Sequence, residues 1–432
     1  MVLTMRGIGD CTFEVAVQVL ELQKLQMMQS PMASGVGLTD HRQTKCKFHD
    51  SSSKVFRRSS ADKTKIDTGW AINLKLDCLL PRMLKRLSIS VLLMGVSVIL
   101  GSIPNRAGAQ TPPELPRLLI IATGGTIAGE QGEPGTLGGY DIRKPISEIV
   151  AEVPEIRRYA QVETTQFANI PSAYITPDQW LQLARSVNSV FEKRPEIAGI
   201  VVTHGTDRLE ETAFFLHLTV KSEKPVVIVG AQRPSTGISP DGPINLLSAV
   251  RVAAAHGSRG KGVLVVMDDR IISARDAEKV YARAGGFSGR EMGNIGIVAR
   301  HGVEFFYAPT RRHTSGSEFD LGDVTVFPRV DIQYSYAGSD GGGKTEAKAI
   351  IVATTGLSGP ERNYYEALQR KGVIIATTFP SGDQVASPSS AREALPMVAV
   401  ERLLPTHARI LMMLALTKTQ DVHEIQRIFD QY

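Results

Sequence analysis

Residues 118–131, LLIIATGGTIAGEQ, run a set of aliphatic side chains into two threonines flanking a glycine pair. A hydroxyl at the end of a buried strand, beside residues without side chains, can attack a carbonyl, with the glycines clearing room for a substrate. The same glycines can equally do no more than turn the chain. Residues 129–139 hold five glycines and a proline, a composition suited to a mobile lid beside a site. Tyr140 stands just after them, where lid closure would carry its phenol to Thr126 to relay the hydroxyl proton.

A second cluster lies in THGTDRLEET, residues 203–212. Asp207 followed three residues later by Glu210 fits a capping box at a helix start, which gives Asp207 a structural explanation. It does not explain why His204, Thr206 and Asp207 crowd one strand end. A carboxylate there can hold a substrate ammonium, and Thr206 can act as nucleophile or orient a water. Lys279, in SARDAEKV, follows another aliphatic run. A lone lysine usually belongs to a solvated face, but beside a threonine hydroxyl a lysine of lowered pKa serves as general base.

Residues 338–345, GSDGGGKT, fit a phosphate-cradling loop, and VLVVMDD places Asp268 where such proteins hold magnesium. That loop must open a helix. Lys344 and Thr345 instead run into the strand-like AIIVATT, and the aspartate strand lies upstream in another domain, so the nucleotide reading is rejected. No G-x-S-x-G elbow or H-E-x-x-H helix occurs.

The polar clusters need a scaffold. Short, β-branched runs at 118–122, 199–203, 226–229 and 263–267 alternate with helical patterns at 177–193, 209–220 and 243–255. Pro177 and Pro243 sit where a first helical turn accepts proline. This alternation predicts an α/β fold with a mostly parallel sheet between helices, whose ligands bind beyond the carboxyl ends of the strands. THGTD, GAQRPST and DDR all follow such runs. A polar stretch at 309–330 reads as a linker. Strands near 330–334, 349–353 and 373–376 and helices near 405–416 and 421–432 then predict a smaller C-terminal α/β domain.

Charge and cysteine usage bound the alternatives. The +5 net charge divides into +7 over residues 1–109 and −2 over the rest, so the body offers no electrostatic case for nucleic acid. Cys11, Cys46 and Cys78 all precede the body, which therefore has no cysteine for a disulfide, a thiolate metal site or a thiol nucleophile. From Met83, a Lys85–Arg86 pair, an uncharged stretch at 87–103 and Ala107-Gly108-Ala109 have the layout of a signal peptide. Retention as a membrane anchor is the alternative. The predicted organisation is a non-native upstream extension at 1–82, a signal peptide at 83–109, a catalytic domain at 110–308, the linker at 309–330 and the smaller domain at 331–432. It implies a periplasmic or secreted protein.

In order and in register, ATGGTIAG, VVTHGTD, LEETAFFL, KPVVIVGAQRPST, DGPINL, GVLVVMDD and ARILMMLALTKTQDVHEIQRIFDQY resemble bacterial type II L-asparaginases over roughly residues 117–432. The resemblance implies hydrolysis of L-asparagine to aspartate and ammonia through a β-acyl-threonine, without metal or organic cofactor, in a homotetramer of intimate dimers. Thr126 then resembles the nucleophile and Tyr140 its lid partner, with Thr206 and Lys279 a second catalytic pair. Asp207 resembles the ligand of the substrate α-amino group and Ser172 that of its α-carboxylate. Gly124 and Gly125 would let the backbone approach the amide, and nearby N–H groups would stabilise the oxyanion. Ala173 stands where the family commonly carries Gln or Glu, which leaves selectivity against glutamine open. Arg208 replaces a threonine, Ser358 is the nearest match to a residue reaching a neighbouring site, and 380–395 is too diverged to place the intersubunit glutamate. The alternative is a glutaminase-asparaginase or another amidohydrolase on the same scaffold.

Overall fold

A computed structural model describes residues 114–133, 139–382 and 396–432. The three cysteines, the signal-peptide segment, the upstream extension, residues 134–138 of the glycine-rich stretch and most of 380–395 lie outside the described residues. Among the described residues no helix is long and apolar enough to cross a membrane.

The larger sheet has eight strands in the order β12-β11-β8-β7-β6-β5-β1-β4. Its parallel part comprises β1 (Arg117–Gly124), β4 (Gln161–Ile170), β5 (Ile197–Thr203), β6 (Val226–Val229) and β7 (Val263–Met267). β1, β5, β6 and β7 are buried almost end to end, as strands covered on both faces must be. The other edge turns antiparallel through β8 (Arg270–Ser273), β11 (Gly296–Ala299) and β12 (Gly302–Phe305). Asp268 and Asp269, with φ of 52° and 61°, make the tight turn from β7 to β8. DDR is therefore a hairpin turn.

Three helices cover the parallel strands. The first, Pro177–Lys193, starts with a capping box between Thr176 and Gln179 and a proline in its first turn, and it buries Trp180, Leu183, Ala184 and Val187. Call it α2, after the short α1 (Ile146–Ala151). α3 (Leu209–Thr219) is buried nearly all round, and α4 (Gly242–Ala254) covers β5, β6 and β7. α3 has no polar face because it packs on β7 to one side and on a C-terminal helix to the other. Phe214, Phe215, Leu216 and Leu218 are fully buried along it. At about 1.5–3 kcal/mol per such side chain, the helix and the residues entering it are held firmly.

The smaller domain has a separate parallel sheet in the order β13-β14-β15-β16. Its strands are β13 (Val330–Tyr334), β14 (Ala349–Ala353), β15 (Ile374–Thr378) and β16 (Val398–Ala399). α5 (Gly359–Gln369) packs on one face, while α6 (Pro405–Ala415) lies on β13 and β14 and against α3. α7 (Val422–Gln431) closes the chain. The segment joining the two sheets packs closely: Ser317 Oγ donates to Leu218 O at 2.5 Å, Lys221 Nζ donates to Ser317 O at 2.6 Å, and Phe319 is buried. The glycine-rich 338–345 stretch leads into β14 without opening a helix, and Thr345 Oγ1 donates to Asp331 at 2.8 Å.

Candidate active site

β1 ends on Gly124 and Gly125, whose φ values of 104° and 85° suit glycine alone. A Cβ on Gly124 would lie 2.5 Å from Ile170 N, and one on Gly125 would lie 2.2 Å from Gly205 Cα and 2.3 Å from Gly205 N. The glycine pair therefore lets three strand ends meet backbone to backbone. Room for a substrate is a consequence of that meeting and is not what the missing side chains directly vacate. The Gly125 N–H donates to Ile170 O at 3.1 Å, so it is committed and is not an oxyanion donor. Thr126 opens the short 3-10 turn Thr126–Ala128 and is almost buried.

The expected lid begins as a hairpin, β2 (Gly129–Gln131) with β3 (Tyr140–Ile142), in which Gln131 pairs with Tyr140. Its register returns Tyr140 to the strand end, where its OH lies 2.6 Å from Thr126 Oγ1. Either hydroxyl can donate, so a proton can pass between them. Gly129 makes this possible: a Cβ there would sit 2.6 Å from Cδ2 of the Tyr140 ring. Ser235 secures the hairpin base by donating both N–H (2.9 Å) and Oγ–H (2.8 Å) to Gly129 O.

Thr206 and Asp207 leave β5 just before α3. Lys279 arrives from the two-stranded ladder of β9 (Glu278–Lys279) and β10 (Phe287–Ser288). Its Nζ donates to Thr206 Oγ1 at 2.8 Å and to Asp207 Oδ1 at 2.7 Å. Ser172, in the turn after β4, accepts the Asp207 N–H at 3.1 Å and keeps its own hydroxyl proton to offer a ligand. The structure thus brings Ser172, Thr206, Asp207 and Lys279 together, with Thr126 and Tyr140 lining the same cleft as Ser172, Thr206 and Asp207.

Two readings of THGTDRLEET are corrected. The residue flanking α3 is Arg208, no side chain caps the helix, and Glu210 makes no capping box. Its Oε2 instead accepts the Lys279 N–H at 2.6 Å, and burial pushes its carboxyl up to about 7. His204 does not face the cleft; it is fully buried, and burial pushes its pKa down to about 4. Gly205 O can only accept, so the neutral His204 ring carries its proton on Nδ1 and gives it to Gly205 O at 2.7 Å. Its Nε2 then accepts the Thr212 hydroxyl at 3.0 Å, and Trp180 Nε1–H donates to Thr212 Oγ1 at 2.8 Å. His204 fixes the backbone that presents Thr206.

The cleft holds about 480 Å³ and is also lined by Gly205, Asn169 and, from the hairpin, Asp141, Ile142 and Arg143. The sequence reading did not single these out, because lining residues after an edge strand and a short hairpin carry no pattern of their own. Ala173 is exposed and does not line the cleft. Ser358 caps α5, accepting the Glu361 N–H at 3.3 Å. Among the described residues no group of three or more His, Cys, Asp or Glu side chains is placed to hold a metal ion.

Comparison with known proteins bears on this geometry. Residues 117–311 match the family described as Asparaginase, N-terminal, and residues 329–429 match the Glutaminase/Asparaginase C-terminal domain. The chain is 40% identical to an L-asparaginase 2 of Bacillus subtilis, over 76% of this chain and 90% of that one. It is 39% identical to a glutaminase-asparaginase of Pseudomonas fluorescens, over 75% of this chain and 92% of that one. A crystal structure of a probable cytoplasmic L-asparaginase from Campylobacter jejuni superposes with a TM-score of 0.69 at 37% identity, covering 73% of this chain and all of that one. The two matched domains coincide with the two sheets, and the cleft lies at the strand ends of the first, so the chain belongs to the type II-like asparaginase family and is an amidohydrolase of the L-asparaginase kind.

Proposed function

We propose that this protein hydrolyses L-asparagine to L-aspartate and ammonia with Thr126 as nucleophile. The observation that carries the reading is the 2.6 Å contact between Thr126 Oγ1 and Tyr140 OH, facing a cleft also lined by Thr206 and Asp207, to both of which Lys279 Nζ donates. Asp207 takes the substrate ammonium and Ser172 its α-carboxylate. Tyr140 relays the Thr126 proton as Oγ1 attacks the side-chain amide carbon, its phenol releasing its own proton toward the departing nitrogen as it takes that of Thr126. The C–N bond breaks, the nitrogen takes a proton and leaves as ammonia, and a β-aspartyl-threonine ester remains. Water activated at Thr206 and Lys279 attacks the ester and releases aspartate, returning the proton to Thr126. No step calls on a metal or an organic cofactor.

Glutamine is the second reading, favoured by the glutaminase-asparaginase relative at an identity within one per cent of the asparaginase. The proposal extends to a homotetramer built as a dimer of dimers, supported by exposed apolar side chains such as Tyr174, Phe306 and Tyr336 and by the family resemblance. Export to the periplasm or medium is supported by the basic, apolar and small-residue order of residues 83–109. The test is ammonia release from asparagine, glutamine and small amides by wild type and Thr126→Ala. Asparagine turnover that is lost in the folded variant supports the reading. Substantial turnover by Thr126→Ala would move the nucleophile to Thr206.

A further inference from the structure

Glu210 is a partly buried carboxyl beside the cleft that the proposed chemistry does not use. It lies in the first turn of α3, three residues after Asp207. Its Oε2 holds the backbone N–H of Lys279 at 2.6 Å, while the Lys279 side chain returns to Thr206 and Asp207 at 2.8 and 2.7 Å. A ring closes: Thr206 and Asp207 lead into α3, α3 presents Glu210, Glu210 fixes the Lys279 backbone, and Lys279 Nζ reaches back to Thr206. The ladder that carries Lys279 is short. β9 and β10 have two residues each, and a ladder that short is weak by itself.

Several charged or titratable groups face the Glu210 carboxyl. Glu211 lies on its own helix, Glu278 on β9 and Arg290 beyond β10. His407 on α6 faces the Glu210 backbone and is itself held neutral by burial. Arg290 spends its NH1 and NH2 donors on the carbonyls of Ser381, Gly382 and Arg402, so it acts on Glu210 through charge at a distance. Burial and the neighbouring glutamates outweigh it, and the carboxyl sits near pH 7.

We propose that Glu210 is a positioning residue for the Lys279–Thr206 pair: by holding the Lys279 backbone N–H it sets where Lys279 Nζ meets Thr206 Oγ1. A charged acceptor makes a hydrogen bond roughly twice as strong as a neutral one. Protonation therefore loosens the hold on the Lys279 backbone without removing it. This inference rests on the reading of Lys279 and Thr206 as catalytic.

The test has two arms. Kinetics on asparagine would be measured from pH 5.5 to 8.5 for wild type, Glu210→Gln and Glu210→Ala. Glu210→Ala should lower kcat by about tenfold or more with KM changed by less than about threefold, since small misplacements of reacting groups are costly. Glu210→Gln keeps an acceptor but cannot ionise. It should recover most of the low-pH kcat and lack the wild-type rise centred near 7. In the second arm, 15N-lysine-labelled protein reports the Lys279 amide, assigned with Lys279→Arg. That signal should titrate near 7 in wild type and stay flat in Glu210→Gln. A Glu210→Ala protein with wild-type kcat, or a Lys279 amide that does not titrate, overturns the inference. If the amide titrates but wild type and Thr126→Ala release ammonia equally, the catalytic reading fails while the Glu210–Lys279 coupling stands.

Discussion

Replacing Gly125 with alanine tests whether the contact between strand ends builds the site. The new Cβ would stand 2.2 Å from Gly205 Cα, 2.3 Å from Gly205 N and 2.9 Å from the His204 carbonyl carbon. Carbon atoms rest at about 3.5–4.0 Å, so the two loops would have to part by more than about 1 Å. Gly205 has little room to retreat, because Ser172 lies behind it: a Cβ on Gly205 would meet Ser172 Oγ at 2.6 Å. Gly125 also holds φ 85° and ψ −177°, a region nearly closed to other residues, which adds about 1–3 kcal/mol of strain. Together these cost on the order of 3 kcal/mol or more in stability. Spread over the two-domain body at residues 117–432, that lowers the unfolding midpoint by roughly 4–5 °C. The larger effect falls on rate. Thr126 follows Gly125 directly, and its displacement by about 1 Å from the Thr206 side of the cleft lowers kcat/KM about 100-fold. Gly132→Ala is the control, since a Cβ there meets nothing within 4 Å. The assay is ammonia release from asparagine together with thermal unfolding of both variants. A Gly125→Ala protein with wild-type kcat/KM and midpoint would refute the argument that backbone contact between these loops sets the geometry.

Tyr140→Phe removes the hydroxyl 2.6 Å from Thr126 and should lower kcat about 100-fold or more in single-turnover assays, while aspartate binding, read by calorimetry, stays within a few-fold. Lys279→Met should remove most turnover and leave the fold intact; near-normal kcat at neutral pH would return Lys279 to an ordinary surface role. Asparagine should exceed glutamine in kcat/KM by at least about tenfold, because one extra methylene between fixed anchors and Thr126 is worth about 1–3 kcal/mol, and equal values would sink the asparagine reading. His407 is fully buried and pushed down to about 3, so the unfolded chain binds its proton first as pH falls below 6.5, and stability is lost progressively below that value. Glu210, pushed up to about 7, acts in the opposite sense over the same window, so the readout is the difference: His407→Phe should lose stability less steeply than wild type between pH 6.5 and 4.5 in denaturant titrations, and parallel slopes would count against the burial argument.

What could be read from the sequence follows from where its apolar residues had to go. β6, β7, α2, β13 and β14 fall at the residues their patterns predict; β6, β7 and β14 are buried on both faces and α2 carries a wide apolar stripe. β4 was invisible for the converse reason. As an edge strand, QVETTQFANI is largely solvent-exposed and needs no aliphatic run, yet its last residue, Ile170, receives the Gly125 N–H and its following turn supplies Ser172. The site shows a related division. Thr126, Thr206 and Asp207 were legible because polar residues at the ends of buried strands are costly unless they do something there. Their mutual arrangement was not, since Lys279 meets Thr206 across 73 positions of chain, and no local pattern encodes that meeting. Glu210 is the sharper case. Its spacing from Asp207 fits a cap, but its carboxyl sits partly buried against β9. There a carboxyl can serve an unpaired N–H from another element as well as one from its own backbone, and Lys279 supplied it. The cluster that looked like one polar patch is in fact divided by burial: His204 turns inward to hold the backbone of Gly205, and Thr206 and Asp207 turn outward to the cleft. The division requires glycine at 205, because a side chain there would strike Ser172 and separate it from Asp207, the two proposed substrate anchors.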